Sequence, residues 1–245
     1  MKFRTQLFLG LFLLVLSALL YLLHYTVFHD SHHLFIYFLG DAAFVPIEVL
    51  LVSLILHRLL ELRESVIKRK KRNVVIGVFF NELGSDLLKK IIAMDPNRSI
   101  LDQRLCIQAD WPNKNFRSAI DFVKEYLPNL NTVPSYLKNL NDLLAEKRSF
   151  LVRLLENDNL LEEEHFTDLL WSVFHVIDEL EHRKDFSSLP EADYRHLQSD
   201  FHRVSTNLII EWIEYMMHLK SYYPYLFSLA LRTNPFNKSA AVEIP

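Results

Sequence analysis

The stretch LFIYFLGDAAFVPIEVLLVSLILHRLL, residues 34–60, is apolar over a membrane-spanning length yet carries Asp41, Pro46 and Glu48. At about 1.5 Å per residue, roughly 20 apolar residues cross a bilayer as a helix, so the stretch predicts a transmembrane helix. A carboxylate inside hydrocarbon is costly and usually faces a protein interior or a watery cavity. Asp41 and Glu48 are therefore the first candidate functional residues.

A second apolar segment, residues 6–28, precedes this stretch. A secretory signal peptide is the alternative interpretation, but the segment is long for one and shows no small-x-small cleavage site. The sequence therefore favours a retained anchor. Only HDSHH, residues 29–33, separates the two segments, so we expect an antiparallel transmembrane hairpin.

Positive charges flank both outer ends of this hairpin. Lys2 and Arg4 precede the first segment, and Arg58, Arg63 and a basic run follow the second. Because Lys and Arg are enriched on the cytoplasmic side, both termini are predicted to be cytoplasmic in a multi-pass protein of the cell inner (cytoplasmic) membrane. The basic run either binds anionic lipid headgroups or only enforces topology. It consists of Lys68, Arg69, Lys70, Lys71 and Arg72.

Asp41 and Glu48 are seven residues apart, which places them within about 20° of one helical face. Pro46 lies between them and is expected to kink the helix. In an antiparallel hairpin, Asp41 would lie near the depth of Tyr21 and within reach of His24. One hypothesis is that several hairpins assemble with both carboxylates lining a cation pathway or proton relay. The other places Asp41 near the headgroups and leaves Glu48 protonated or bonded to a hydroxyl or a partner helix.

The remainder of the chain predicts a helical bundle, and the fold class is all-α. Four glycines against 18 phenylalanines leave little material for phosphate-binding loops, and prolines separate stretches of helical periodicity. Helices are predicted at 74–94, 114–126, 135–156, 162–184, 191–220 and 225–231, with irregular structure at 99–113. The predicted organisation is a transmembrane hairpin (1–62), a basic juxtamembrane stalk continuing the second helix (63–73), a cytoplasmic bundle (74–236) and a flexible tail (237–245).

Two helical faces of the bundle carry histidines and carboxylates that are candidate metal ligands. His175, Asp178 and His182 share one helical face, and Glu211, Glu214 and His218 share another. Such residues are more often solvated or ion-paired, so no metal or other cofactor is predicted. Known catalytic motifs are absent from the sequence, and Cys106 is the single cysteine, which together disfavour an enzyme.

Two strings, LGDAAFVPIEVL (39–50) and YPYLFSLALRTNPF (223–236), resemble a prokaryotic family of two-helix membrane proteins with a cytoplasmic helical domain and no assigned activity. The resemblance covers most of the chain, implies a bacterial or archaeal cytoplasmic membrane, and supplies no site.

Together these features predict a membrane-anchored helical module that acts in interaction or sensing, within a homo-oligomer or a larger membrane complex. Its expected partners are the lipid bilayer, anionic headgroups, and further copies or another membrane protein, and the basic run does not predict nucleic-acid binding. Two alternatives stay open. One is an oligomeric cation or proton channel lined by Asp41 and Glu48, and the other is a membrane-tethered metalloenzyme.

Overall fold

The structure is a computed structural model that describes residues 2–157, 160 and 164–243. Helices dominate these residues, which confirms the predicted all-α class. The α-helices are α1 (Lys2–Phe28), α2 (Ser31–Phe79), α3 (Ser85–Ala93), α4 (Arg98–Leu105), α5 (Asn113–Glu125), α6 (Pro134–Leu155), α7 (Glu164–Glu181), α8 (Glu191–Tyr222) and α9 (Pro224–Arg232).

The chain divides after Ser65 into two units. The first holds two candidate membrane spans, Leu7–Phe28 and Ser31–Val66, which are long and apolar enough to cross a membrane by length and composition. Within their most apolar windows, no residue is buried inside the chain. The apolar windows of these two spans therefore pack against no core of the chain.

The connection between α1 and α2 is shorter than the predicted five-residue turn. Only His29 and Asp30 lie outside the helices, and His29 adopts a left-handed backbone with φ of 52°. A left-handed residue commonly ends a helix, and the His29 amide donates to the Tyr25 carbonyl over 2.9 Å. The Asp30 carboxylate then accepts the His33 amide at 3.0 Å, which caps α2.

Helix α2 passes through Pro46 and through the basic run before it ends at Phe79. The predicted helix at 74–94 is interrupted there, because residues 80–84 form a π-helical turn before α3. Gly84 closes this turn. A Cβ atom at Gly84 would lie 2.6 Å from Phe79 Cε1 and 2.8 Å from Phe80 Cδ1, so the two buried rings occupy the space that a side chain would need.

Helix α8 is the centre of the second unit and contacts α3, α5, α7 and α9. Helices α7 and α8 each carry a stripe of apolar residues that faces the core of this unit. On α7 only Phe174 of this stripe is half-buried, and the remaining stripe residues of both helices are buried. The buried set is Phe166, Leu169, Leu170, Val173, Ile177 and Leu180 on α7, and Phe201, Val204, Leu208, Ile209, Trp212, Ile213, Met216 and Leu219 on α8.

The prediction of irregular structure at 99–113 is wrong in its first half, where α4 forms. Leu101 and Leu105, one helical turn apart, are both buried, and Arg98 pairs with Asp102 at 3.3 Å across one turn. An (i, i+4) ion pair and a two-residue apolar contact are enough to hold a short helix against a core. The mostly polar sequence of α4 hides this pattern.

We expect Gly84→Ala to lower the free energy of unfolding of the second unit by about 1–2 kcal/mol. Overpacking costs about 1–3 kcal/mol, and the better helix propensity of alanine offsets up to about 1 kcal/mol of it. All three tryptophans lie in this unit, so denaturation of the full chain in detergent, followed by tryptophan fluorescence, measures the change.

Gly40→Ala is the matched control, because no atom lies within 4 Å of the added methyl group. It should leave the fluorescence transition unchanged. A Gly84→Ala transition that coincides with that of the wild type would contradict the close packing described for Phe79 and Phe80.

Candidate functional sites

Asp41 lines a cavity of about 660 Å³ within the first unit. Tyr21 and His24 of α1, together with His33 and Tyr37 of α2, line the same cavity. This placement agrees with the neighbours that the antiparallel hairpin predicts for Asp41.

Glu48 does not reach this cavity and is exposed on α2. Among the described residues, neither Asp41 nor Glu48 forms a hydrogen bond or an ion pair. The structure therefore places the two carboxylates in different surroundings, one facing the cavity and one on an open helical surface. Pro46 lies between them inside the continuous helix.

The basic run lies on α2, but its side chains are outside the described part of the structure. This applies to Lys68, Arg69, Lys70, Lys71 and Arg72. Their contact with lipid headgroups stays a prediction.

The two helical faces considered for metal binding do not meet. Asp178 pairs with Arg148 of α6 at 3.5 Å, and His182 Nδ1 lies 2.7 Å from the Asp178 carbonyl oxygen. His218 Nδ1 lies 3.0 Å from the side-chain amide of Asn73.

The remaining three candidates lie in different surroundings. On α8, Glu211 is buried and Glu214 is half-buried. His175 faces a different part of α8, where it meets residues that the sequence prediction did not select.

This group, the α7/α8 cluster, consists of His175 and Glu179 on α7 and His196 and Asp200 on α8. Asp200 Oδ2 lies 3.3 Å from His175 Nε2 and 3.3 Å from His196 Nε2. Glu179 Oε1 lies 4.0 Å and 3.7 Å from the same two nitrogens. Each helix contributes two residues spaced (i, i+4), which places them on one face. Among the described residues, His175, His196 and Asp200 form the one group able to hold a metal ion.

Burial differs sharply within the cluster. The Asp200 side chain is 3% exposed, whereas His175 and His196 are 42% and 51% exposed. Asp200 Oδ2 is buried, and its contacts with the two imidazole nitrogens are ion-pair contacts at 3.3 Å without hydrogen-bond geometry. The cluster thus presents a buried carboxylate oxygen below two accessible imidazoles.

Arginines hold the outer oxygens of both carboxylates. Arg183 Nη1 donates to Glu179 Oε2 at 2.5 Å, and its Nε and Nη2 each donate to Asp193 at 3.1 Å. The hydrogen bond from Arg183 lowers the pKa of Glu179, and the same guanidinium lowers the pKa of Asp193. Arg203 Nη2 lies 3.8 Å from Asp200 Oδ1.

The fold and the cluster define a class of protein: an all-helical chain with two apolar N-terminal helices and a separate helical unit that carries a histidine and carboxylate group. The chain belongs to the MJ1433 family. Residues 1–60 match the family described as "MJ1433, N-terminal helical domain", and residues 68–232 match "Uncharacterized protein MJ1433, C-terminal helical domain".

A relative from Methanocaldococcus jannaschii, "Uncharacterized protein MJ1433", is 44% identical over 241 residues, which cover 98% of this chain and 97% of the relative. No solved structure matches the chain. The predicted family resemblance is confirmed at the level of an uncharacterised family with an N-terminal and a C-terminal helical domain.

We expect Arg183→Met to lower the free energy of unfolding at pH 7, because Glu179 and Asp193 lose a shared cation. Both carboxyl pKa values are lowered in the folded state, so this stabilisation is present above their ordinary values of 4.5 and 3.8. It is lost as the pH falls through the lowered values. The difference between variant and wild type should therefore shrink below about pH 4.

Denaturation followed by tryptophan fluorescence at pH 7 and in acid measures this difference. Arg148→Met is the matched control, because Arg148 is 44% exposed and its contacts to Asp178 and Glu181 are longer, at 3.5 and 3.4 Å. It should cost less than Arg183→Met. Equal losses, or a loss from Arg183→Met that persists in acid, would contradict the assigned role of Arg183.

Proposed function

We propose that the protein is a membrane-anchored helical module. The spans Leu7–Phe28 and Ser31–Val66 cross the cytoplasmic membrane as an antiparallel hairpin. The second unit, which follows these spans, lies in the cytoplasm and acts as an interaction or sensory domain.

The observation that carries this proposal is that no residue in the apolar window of either span is buried inside the chain. The core helices of a water-soluble protein bury their apolar faces, as α7 and α8 do here. Monomeric proteins in water rarely expose contiguous apolar surface on this scale, so a lipid environment accounts for it best. A cleaved signal peptide would explain α1 and leave the longer apolar span of α2 unexplained.

Orientation follows from charge. Lys2 and Arg4 precede the first span, and the basic run 68–72 follows the second. The positive-inside rule then favours a cytoplasmic location for both termini, with the turn at His29 and Asp30 on the outer side. The basic run is placed where it could attract anionic headgroups.

A partner within the membrane is supported by the surroundings of Glu48. This carboxylate has no polar partner among the described residues, and a lone carboxylate in hydrocarbon is costly. A hydrogen bond from another helix would offset that cost, as interhelical polar contacts do in membrane proteins. We therefore include self-association, or association with another membrane protein, in the proposed function.

Topology is tested with single cysteines introduced into a Cys106→Ser background. Ser31→Cys should react with a membrane-impermeant maleimide in intact cells, because residue 31 follows the outer turn. Ser239→Cys is exposed near the C-terminus and should react only after the membrane is dissolved.

The pair controls for each other, since both positions are exposed serines of the same chain. Labelling of both sites in intact cells, or of neither, would contradict the proposed topology. Release of the full chain from membranes by alkaline carbonate would contradict the anchor itself.

Association is tested by native mass spectrometry of the full chain in a mild detergent. We expect more than one copy per particle, and we expect Glu48→Leu to weaken association about fivefold, equivalent to about 1 kcal/mol for one lost interhelical contact. Val49→Leu, at the adjacent position, should leave the distribution unchanged. A wild-type chain that is monomeric and brings no other membrane protein with it would contradict this part of the proposal.

A further inference from the structure

We propose that the α7/α8 cluster is a binding site for a divalent metal ion of the zinc class, with His175 Nε2, His196 Nε2 and Asp200 Oδ2 as ligands and Glu179 Oε1 as the fourth. The site lies wholly in the second unit, so this proposal does not depend on the membrane topology.

The distances between Asp200 and the two imidazoles fit tetrahedral coordination, and the ligand atoms of these three residues all lie within 4.8 Å of one another. Zinc binds imidazole nitrogen and carboxylate oxygen at about 2.0–2.2 Å, so two ligand atoms at the tetrahedral angle lie about 3.3–3.5 Å apart. Asp200 Oδ2 lies 3.3 Å from both imidazole nitrogens. Glu179 Oε1, at 3.7 and 4.0 Å from them, needs a shift of only a few tenths of an ångström.

The surroundings of Asp200 also support a metal site. Its Oδ2 is buried, yet no donor is directed at it, although two imidazole nitrogens are close by. A buried acceptor left without a partner is costly. An ion held between the carboxylate and the imidazoles would satisfy all three groups at once.

Two arginines contact the carboxylate oxygens that face away from the imidazoles. Arg183 engages Glu179 Oε2, and Arg203 lies nearest Asp200 Oδ1, so each carboxylate turns its other oxygen toward the imidazoles. Metal ligands are generally oriented by such outer hydrogen bonds. The two guanidinium groups also offset the carboxylate charge, so we expect moderate affinity and an exchangeable ion.

The donor set identifies the class of metal. Two imidazoles with carboxylate oxygens suit zinc, cobalt or nickel, whereas magnesium and calcium take oxygen ligands alone. The exposure of His175 and His196 gives an ion a direct path from solvent. An exchangeable ion that bridges two helices would be a signal that a sensory domain could detect.

The alternative is a simple ion pair in which protonated histidines compensate Asp200. The two interpretations differ in the effect of Asp200→Asn. An ion pair predicts that this substitution destabilises the protein whether or not zinc is present. A metal site predicts a variant at least as stable as the wild type without metal, and no longer stabilised by zinc.

The test uses the full chain in detergent, stripped of metal with a chelator and titrated with Zn²⁺ by calorimetry. We expect one zinc per chain at this site, affinity at least about tenfold lower in Asp200→Asn, and loss of the site in a His175→Gln, His196→Gln double variant. Zinc should also raise the melting temperature of the wild type but not of the double variant.

Two controls separate this site from other histidines. His165→Gln alters an exposed histidine of α7, and a His32→Gln, His33→Gln variant removes histidines near the turn of the first unit. Co²⁺ bound in a tetrahedral site gives visible absorption, which should persist in both controls and vanish in the double variant. If the double variant fails to fold, the exposed single substitution His196→Gln replaces it.

The proposal is overturned if the stripped wild type takes up no stoichiometric zinc, or if the α7/α8 variants bind it as well as the wild type does. Loss of binding only in the His32→Gln, His33→Gln variant would also overturn it, because the ion would then belong to the first unit.

Discussion

The antiparallel contact between α7 and α8 is the constraint on which the second unit depends. Arg183 pairs with Asp193, Glu179 lies against His196, and His175 lies against Asp200, so contacts step in opposite directions along the two helices. The short connection at 182–190 sets this register, because it leaves the chain little choice of partner. One face of the helix pair then fills the core, and the charged side chains lie along the edge of that face. The proposed site and the hydrophobic core are thus two sides of the same contact.

Much of this fold is readable from the sequence, since long amphipathic helices repeat the same pattern many times. The stripes on α7 and α8 each extend over four or more turns, and prolines mark the starts of α6 and α9. Shorter features escape prediction. Helix α4 has only eight residues, and the π-helical turn before Gly84 depends on how the rings of Phe79 and Phe80 fit together. Neither feature produces a periodic signal, because tertiary packing decides both.

The α7/α8 cluster shows why individual residues were harder to identify than helices. Spacing within one helix predicts ligands in the C-terminal half of α8, at Glu211, Glu214 and His218. In a helical hairpin with a short connection, however, residues near the middle of α7 face the first half of α8. The (i, i+4) pairs His175 with Glu179 and His196 with Asp200 are visible in the sequence. The two pairs face each other when the helices are aligned outward from the connection at 182–190. Spacing within one helix carries no information about that alignment.

Asp200 and Glu48 illustrate one physical rule with two outcomes. A carboxylate outside water needs compensation, and the position of the compensating groups decides its kind. Around Asp200 the two imidazole nitrogens already lie at 3.3 Å, a spacing that suits a small cation coordinated by all three groups. Around Glu48 no polar group of its own described chain lies within bonding distance, so in a membrane the compensation would have to come from a neighbouring helix. The same reasoning underlies both proposals, a metal ion for the second unit and a protein partner for the first.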